Sequence, residues 1–220
     1  VQQRPLHVHL SEQPAENAAT QGYYGCTPTE LLDDHGLLGA RTTAVHATHL
    51  TDSDIKTLGA TQTSACFCPT TERDLADGIG PARRLADAGS ALTLGSDQHA
   101  VIDPFEELRG LEMHERLATG ERGRFTPDEL MMIASAAGYH SLGWAGGGRI
   151  ADGAPADFVV VRSDSVRTTG ARPDQIGYAA TAADIDQVVV AGQVIVGEGQ
   201  HRLGSPARLL AAALDQLGIA

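Results

Sequence analysis

Positive charge is scarce in this sequence. Lys and Arg together number 16 against 28 Asp and Glu, giving a formal net charge of −12 and a sequence pI near 5.0. Such a surface repels phosphate backbones, so nucleic acid is excluded as an expected partner. Cysteine is sparse too. Cys26, Cys66 and Cys68 cannot all pair within one chain, and their scarcity suits a reducing cytoplasm better than a disulfide framework. No run approaches the roughly 18 apolar residues that a membrane-crossing helix needs. No basic stretch followed by an apolar core opens the chain, so no secretory leader is expected. Internal repeats and low-complexity tracts are absent. What is present is ordinary for a globular protein: 42% hydrophobic and 20% charged residues. A chain of 220 residues holds one large domain, or one domain and a small one. The first residue is Val1, and Pro5-Leu6-His7-Val8-His9-Leu10 reads as a strand almost at once. The expectation is that the fold begins upstream and that this chain is a fragment of a longer protein.

Along the chain, strand-like and helix-like segments alternate. Residues 5–10 read as a buried strand, and the alanine-rich 14–20 as a helix. A helix is expected over Pro28–Leu38, with Thr27 as N-cap and Pro28 at its first position. Thr42–Val45 reads as a strand ending at His46, and Thr51 to Leu58 as a helix closed by Gly59. Thr63–Cys68 is a strand, Ile79–Ala88 a helix, Ala91–Leu94 a strand, and Phe105–Leu117 and Phe125–Ala137 are helices. Strands separated by helices of this length argue for βαβ units and a parallel sheet. The character changes after about Gly143, where Gly146-Gly147-Gly148 reads as a hinge. Ala156–Val161 and Ile185–Val190 are strand-like, and Ala191-Gly192-Gln193 turns the second into Val194–Val196 as a hairpin. Residues 206–218 form a last Ala/Leu-rich helix.

The polar residues of interest stand where strands end. His9 and Glu12 follow the first strand, His46 and His49 the second, and Asp97 and His99 the fourth. In a parallel barrel the C-terminal strand ends converge on the active site. Each residue alone has a plainer reading. A histidine at a strand end is more often a hydrogen-bonded structural group. His7 and His9, two apart, share one face of their strand, so spacing does not choose between them. Asp97 in Gly95-Ser96-Asp97 suits a turn. Cys66 and Cys68 suit small core positions, and Glu106, Glu107 and Glu112 suit a solvated helix face. Coincidence at three of four strand ends is improbable, and that shifts the balance towards a site.

His7-Val8-His9-Leu10-Ser11-Glu12, Val45-His46-Ala47-Thr48-His49 and Leu94-Gly95-Ser96-Asp97 resemble the fifth, sixth and eighth strand motifs of the amidohydrolase superfamily. Gly148 to Gly153 with Ala156 to Val160 resembles that superfamily's return from barrel to β-sandwich. The likeness covers nearly the whole chain. Within the superfamily, Cys68-Pro69-Thr70-Thr71-Glu72-Arg73-Asp74-Leu75-Ala76-Asp77-Gly78-Ile79 and Ser96-Asp97-Gln98-His99 leading to Glu112 are similar to the formimidoylglutamate deiminase branch. Purine and triazine deaminases usually carry Ser-Asn in place of Thr71-Glu72.

The resemblance implies an α/β fold: the C-terminal half of a (β/α)8 metal-dependent hydrolase barrel with part of a small β-sandwich. Residues 1–143 would be the half-barrel with strands five to eight, 144–204 the sandwich segment, and 205–220 a terminal helix. It implies one divalent metal, zinc before iron, held by His9 and Asp97. Glu12 would carry protons, and His46 would polarise or orient the substrate. Arg73 and Arg83 are candidate grips for a substrate carboxylate. The family's His-x-His pair from strand one has no counterpart here, because His7-Val8-His9 matches strand five through Glu12. The isolated chain is therefore expected to be inactive.

Hydrolysis of a formimidoyl C=N needs a nucleophilic water near neutral pH, which a divalent metal provides by lowering the pKa of bound water from about 15.7 towards about 7–9. The implied reaction converts N-formimidoyl-L-glutamate to N-formyl-L-glutamate and ammonia, a step of histidine degradation in the cytoplasm. Partners are then a small-molecule substrate and, as an open option, a second copy in a homodimer, with neither nucleic acid nor membrane. The alternatives are a deaminase of a purine, pterin or triazine-like ring, or a non-catalytic truncated chain.

Overall fold

A computed structural model describes residues 4–98, 101–144 and 146–219. These form two compact units, divided between Gly148 and Arg149.

In the first unit, β1 (Leu6–Leu10), β2 (Thr42–His46), β3 (Ser64–Phe67) and β4 (Leu92–Leu94) make one parallel sheet in the order β1-β2-β3-β4. Every neighbour in the sheet is the next strand in sequence, so the chain winds in one direction and brings all four C-terminal strand ends to one edge. β2 is buried at four of its five residues, as expected of a strand with neighbours on both sides and helices on its face. The core beneath the tips is Leu10, Ala44, Ala65, Phe67 and Leu92, backed by Leu58 and Leu85.

The connecting helices start where threonine and proline allow it. α1 (Pro14–Tyr24) and α2 (Pro28–Asp34) lie between β1 and β2, and α3 (Asp52–Ala60) between β2 and β3. Thr27 and Thr51 each accept a bond from the backbone of the third helical residue, whose own carboxylate reaches back, which closes a capping box. α4 (Pro69–Asp74) and α5 (Ala82–Ala88) fill the next crossover. Gly59 lets α3 and α5 meet backbone to backbone: a Cβ there would stand 2.2 Å from the Ala88 carbonyl oxygen. After β4 come α6 (Pro104–Thr119), α7 (Pro127–Ile133) and α8 (Ala136–Ser141).

Several expected boundaries move. The helix expected from Pro28 to Leu38 stops at Asp34, with Gly36 left-handed just beyond (φ 63°). The one expected from Ile79 starts only at Ala82, behind Pro81. Phe125–Ala137 is two helices, broken where Ser135 leaves the helical region (φ −133°, ψ −92°). The carboxylates of α6 are a larger correction. Glu106 is half-buried, but Glu107 and Glu112 are 2% and 1% exposed rather than solvated. Glu107 accepts from the Thr70 amide (3.0 Å) and hydroxyl (2.5 Å), locking α4 onto α6. Glu112 accepts from the amides of Gly123 and Phe125, each at 2.8 Å, and from Arg116 at 2.7 Å.

The second unit is an antiparallel sheet, β5 (Phe158–Val161), β6 (Ile185–Val190), β7 (Gln193–Gly197) and β8 (Gln200–His201). Ala191 and Gly192 both take positive φ (50° and 75°), the twist that a two-residue hairpin turn between β6 and β7 demands. The buried Asp184 carboxylate takes both Arg167 Nε and a terminal guanidinium nitrogen at 2.8 Å. α9 (Ile176–Ala179) is a single turn, and α10 (Pro206–Leu217) closes the unit. Among the described residues no helix is long and apolar enough to cross a membrane.

Candidate active site

Three of the parallel strands end in a left-handed residue. Ser11 (φ 51°) follows β1, His46 (φ 68°) ends β2 with Ala47 (φ 50°) after it, and Asp97 (φ 41°) lies beyond β4. Non-glycine residues adopt this region at a cost of about 1–3 kcal/mol each, and such strain collects at functional sites. Local bonds hold it in place. The Glu16 carboxylate, at the start of α1, accepts from the amides of Ser11 (2.9 Å) and Glu12 (3.1 Å) and fixes the turn that presents Glu12. Ala47 N donates to Leu10 O at 3.1 Å and His49 N to Ser11 O at 2.9 Å, tying the β2 tip to the β1 tip. Gly95 N donates to Phe67 O, and a Cβ at Gly95 would meet Cys68 Sγ at 3.1 Å, so the β4 tip lies close against the β3 tip.

These bends bring His9, His46 and Asp97 together, each offering a ligand atom within 4.8 Å of the others. The imidazoles of His9 and His46 lie parallel, centroids 5.4 Å apart and planes 13° apart. His46 is fully buried, with Nε2 3.5 Å from Glu12 Oε1 and 3.8 Å from Asp97 Oδ2. Its other nitrogen, Nδ1, faces Glu72 Oε1 at 3.4 Å. Burial opposes charge on His46, but the Glu72 hydrogen bond and the carboxylates of Glu12, Glu72 and Asp97 outweigh it, and the imidazole pKa lies above its ordinary value. Burial pushes the Glu12 carboxyl upwards, and neighbouring Asp77 adds to this against the pull of His46 and His9.

His46 Nε2 is buried with no hydrogen-bond partner among the described residues. An orphaned imidazole nitrogen aimed at a carboxylate and a second imidazole is what a divalent cation satisfies, and two imidazoles with one carboxylate are a donor set that zinc and iron accept. The residues present fit the group.

The other strand-end residues are engaged elsewhere. His7, the alternative to His9, donates from Nε2 to Ser141 O at 3.1 Å. His49 Nε2 donates to Asp77 O at 2.7 Å. His99 lies outside the described residues. The guanidinium of Arg73 puts two nitrogens on Glu106 Oε1 at 3.0 Å. Arg83 pairs with Asp87 at 2.6 Å and Glu129 at 3.0 Å, over the ring of Phe125. Both arginines are thus spent on joining helices, and gripping a substrate would require breaking those pairs. Two carboxylates escaped the strand-tip reading: Glu72 behind His46, and Asp77, which takes Gln13 Nε2 and stands beside Glu12. The departure from Ser-Asn at Thr71-Glu72 is the sequence signal for the first, read there only for its family likeness.

Comparison with known proteins supplies the class. The model of the amidohydrolase family matches residues 1–195, and the chain belongs to that family. It is 31% identical over 200 residues to a 5-methylthioadenosine/S-adenosylhomocysteine deaminase of Pelotomaculum thermopropionicum, covering 89% of this chain and 46% of the relative. It is 32% identical over 208 residues to the formimidoylglutamate deiminase of Pseudomonas aeruginosa, covering 90% and 46%. Among solved structures, a zinc-bound adenosine deaminase from Xanthomonas campestris superposes with a TM-score of 0.89 at 28% identity, over 96% of this chain and 49% of that one. The chain thus spans about half the length of the relatives it matches.

Proposed function

We propose that this chain supplies strands five to eight and part of the β-sandwich of a metal-dependent deaminase, and that the whole enzyme hydrolyses N-formimidoyl-L-glutamate to N-formyl-L-glutamate and ammonia. The observation that carries the chemistry is the convergence of His9, His46, Asp97 and Glu12 at adjoining strand tips, with a buried imidazole nitrogen left open towards them. The substrate reading is supported by the segment around Thr71-Glu72, which resembles the formimidoylglutamate deiminases, and by the 32% identity to one of them.

His9 and Asp97 would hold the ion, zinc before iron, with His46 beside it. Bound there, a divalent cation supplies Lewis acidity and a water acidic enough to attack near neutral pH. Asp97 accepts the proton of the attacking water. His46 would lend its unprotonated Nε2 to the ion or to a substrate N–H, orienting the substrate beside it. Glu12 protonates the departing nitrogen, since ammonia leaves readily only once protonated. Burial pushes its carboxyl upwards, the direction that favours a proton donor.

A second reading, deamination of an adenine-type ring, is favoured by the 31% identity to the 5-methylthioadenosine/S-adenosylhomocysteine deaminase. Ammonia release separates the two, measured on a zinc-loaded protein of the relatives' full length that contains this chain. Release from formimidoylglutamate is expected. Release from 5-methylthioadenosine with none from formimidoylglutamate overturns the substrate. Under the half-site reading the 220-residue chain alone turns over neither compound, and robust turnover by it would refute that reading.

A further inference from the structure

Glu72 is a buried carboxylate without a buried cation. Its side chain is 1% exposed, and among the described residues its one ion-pair neighbour is His46. Burying a carboxylate is costly, and proteins usually offset the cost with arginine or lysine and a full set of hydrogen bonds. Here Oε1 accepts from Cys68 N at 2.8 Å and faces His46 Nδ1 at 3.4 Å, while Oε2 is buried and meets no donor among the described residues. The bond to Cys68 N, at the N-cap of α4, offers a purely structural role. Yet a neutral glutamine would serve that cap equally well, without a buried charge. The charge is explained by what it faces.

We infer that Glu72 is a positioning residue that holds His46 as the Nδ1–H tautomer, so that the Nε2 lone pair points at Glu12 and Asp97. An imidazole nitrogen binds a metal, or accepts a hydrogen bond, only while it carries no proton, and the bond made by the opposite nitrogen decides which one that is. The backbone cooperates. His46 sits at φ 68° at the end of β2, with Nδ1 facing Glu72 on α4 and Nε2 facing Glu12 and Asp97 at the strand tips. The inference rests on the functional reading only in giving Nε2 a task. In the metal-free chain Nδ1 faces Glu72 at 3.4 Å while Nε2 faces Glu12 at 3.5 Å and Asp97 at 3.8 Å, so the tautomer is read there directly and decides between the two sides.

The test therefore begins without metal. Long-range 1H–15N correlation spectra of the metal-free chain, recorded at alkaline pH where the ring is neutral, report which His46 nitrogen carries hydrogen. The wild-type chain is expected to show Nδ1–H, and Glu72→Ala a large gain of Nε2–H. Glu72→Gln, whose amide oxygen still accepts, is expected to rescue the Nδ1–H form and to melt at or above the wild-type temperature. Zinc titration against a competing chelator should show Glu72→Ala weakened about 10–100-fold, with Glu72→Gln between it and wild type. If Glu72→Ala does not fold, Glu72→Gln decides: unchanged melting with weaker zinc binding supports the role. An unchanged tautomer in Glu72→Ala, or a Glu72→Gln chain that loses stability but not zinc affinity, overturns it in favour of simple helix capping. A zinc-free result for a protein of the relatives' full length that contains this chain, with the tautomer response still present in the chain, would defeat the functional reading and leave the positioning of His46 standing.

Discussion

Two buried carboxylates of the first unit, one on α6 and one on α4, show opposite uses of the same group. Glu112 is saturated. Its two oxygens take three backbone amides of the 123–125 loop, at 2.8, 3.3 and 2.8 Å, and Arg116 at 2.7 Å. Glu72 keeps one oxygen without a donor and faces an imidazole at 3.4 Å. Glu112 is thus buried among donors that satisfy both oxygens, whereas Glu72 is buried with one oxygen on a helix amide and an imidazole and the other without a donor among the described residues. The largest effect should therefore come from Glu112. In Glu112→Ala three amides and a guanidinium lose their acceptor together. The expected loss is about 3 kcal/mol, or a fall of roughly 6–12 °C in the melting temperature of the first unit. Thermal denaturation by circular dichroism checks it, and a loss no larger than that of Glu72→Gln would break the comparison.

The second unit offers a further saturated carboxylate, Asp184, held by Arg167 at 2.8 Å through two nitrogens and by the Thr181 amide at 2.9 Å. Arg167 holds this carboxyl far below the ordinary aspartate range. The sign follows from linkage. A depressed folded-state pKa means that the unfolded chain binds more protons in acid, so the stabilisation is present above the ordinary value of 3.8 and is lost as pH falls through and below it. Asp184→Asn should therefore lower the stability of this unit at neutral pH and flatten its acid limb. The loss should be smaller than at Glu112, because Arg167 is itself half-exposed. Urea denaturation at a series of acidic pH values measures this, and an acid limb as steep as wild type in the variant would count against Asp184 as its source.

Much of this was legible in the sequence, and what was not has a common cause. Alternating strands and helices, proline and threonine at helix starts, and the polar residues after each strand are local signals; His9 was singled out from His7 only by the family resemblance, and the structure brings His9, His46 and Asp97 together. The fate of a side chain set by a distant partner was not legible. Spacing did not separate His7 from His9. The structure separates them through the Ser141 carbonyl, 134 positions away. Glu107 and Glu112 read as a solvated face because their burial depends on Thr70 and on the loop beyond α6, neither of which the helical pattern contains. The break at Ser135 carries no glycine or proline to announce it, and the short helix α4 was hidden in a segment read for its family likeness rather than its conformation.

The smallest effect belongs to the exposed end of the series. Glu129 has a side chain 44% exposed, accepts from the Thr126 amide at 2.8 Å within a capping box, and pairs with Arg83 at 3.0 Å. Glu129→Gln keeps the box, since glutamine serves that position as well as glutamate, and removes only the ion pair. Solvent screens such a pair, and Arg83 retains Asp87 at 2.6 Å, so the expected loss is below about 1 kcal/mol and shrinks further in high salt. Chemical denaturation at low and high ionic strength reads both quantities. A loss above about 2 kcal/mol that persists in salt would mean that Glu129 is held as tightly as Glu112, and that exposure is the wrong axis on which to order these carboxylates.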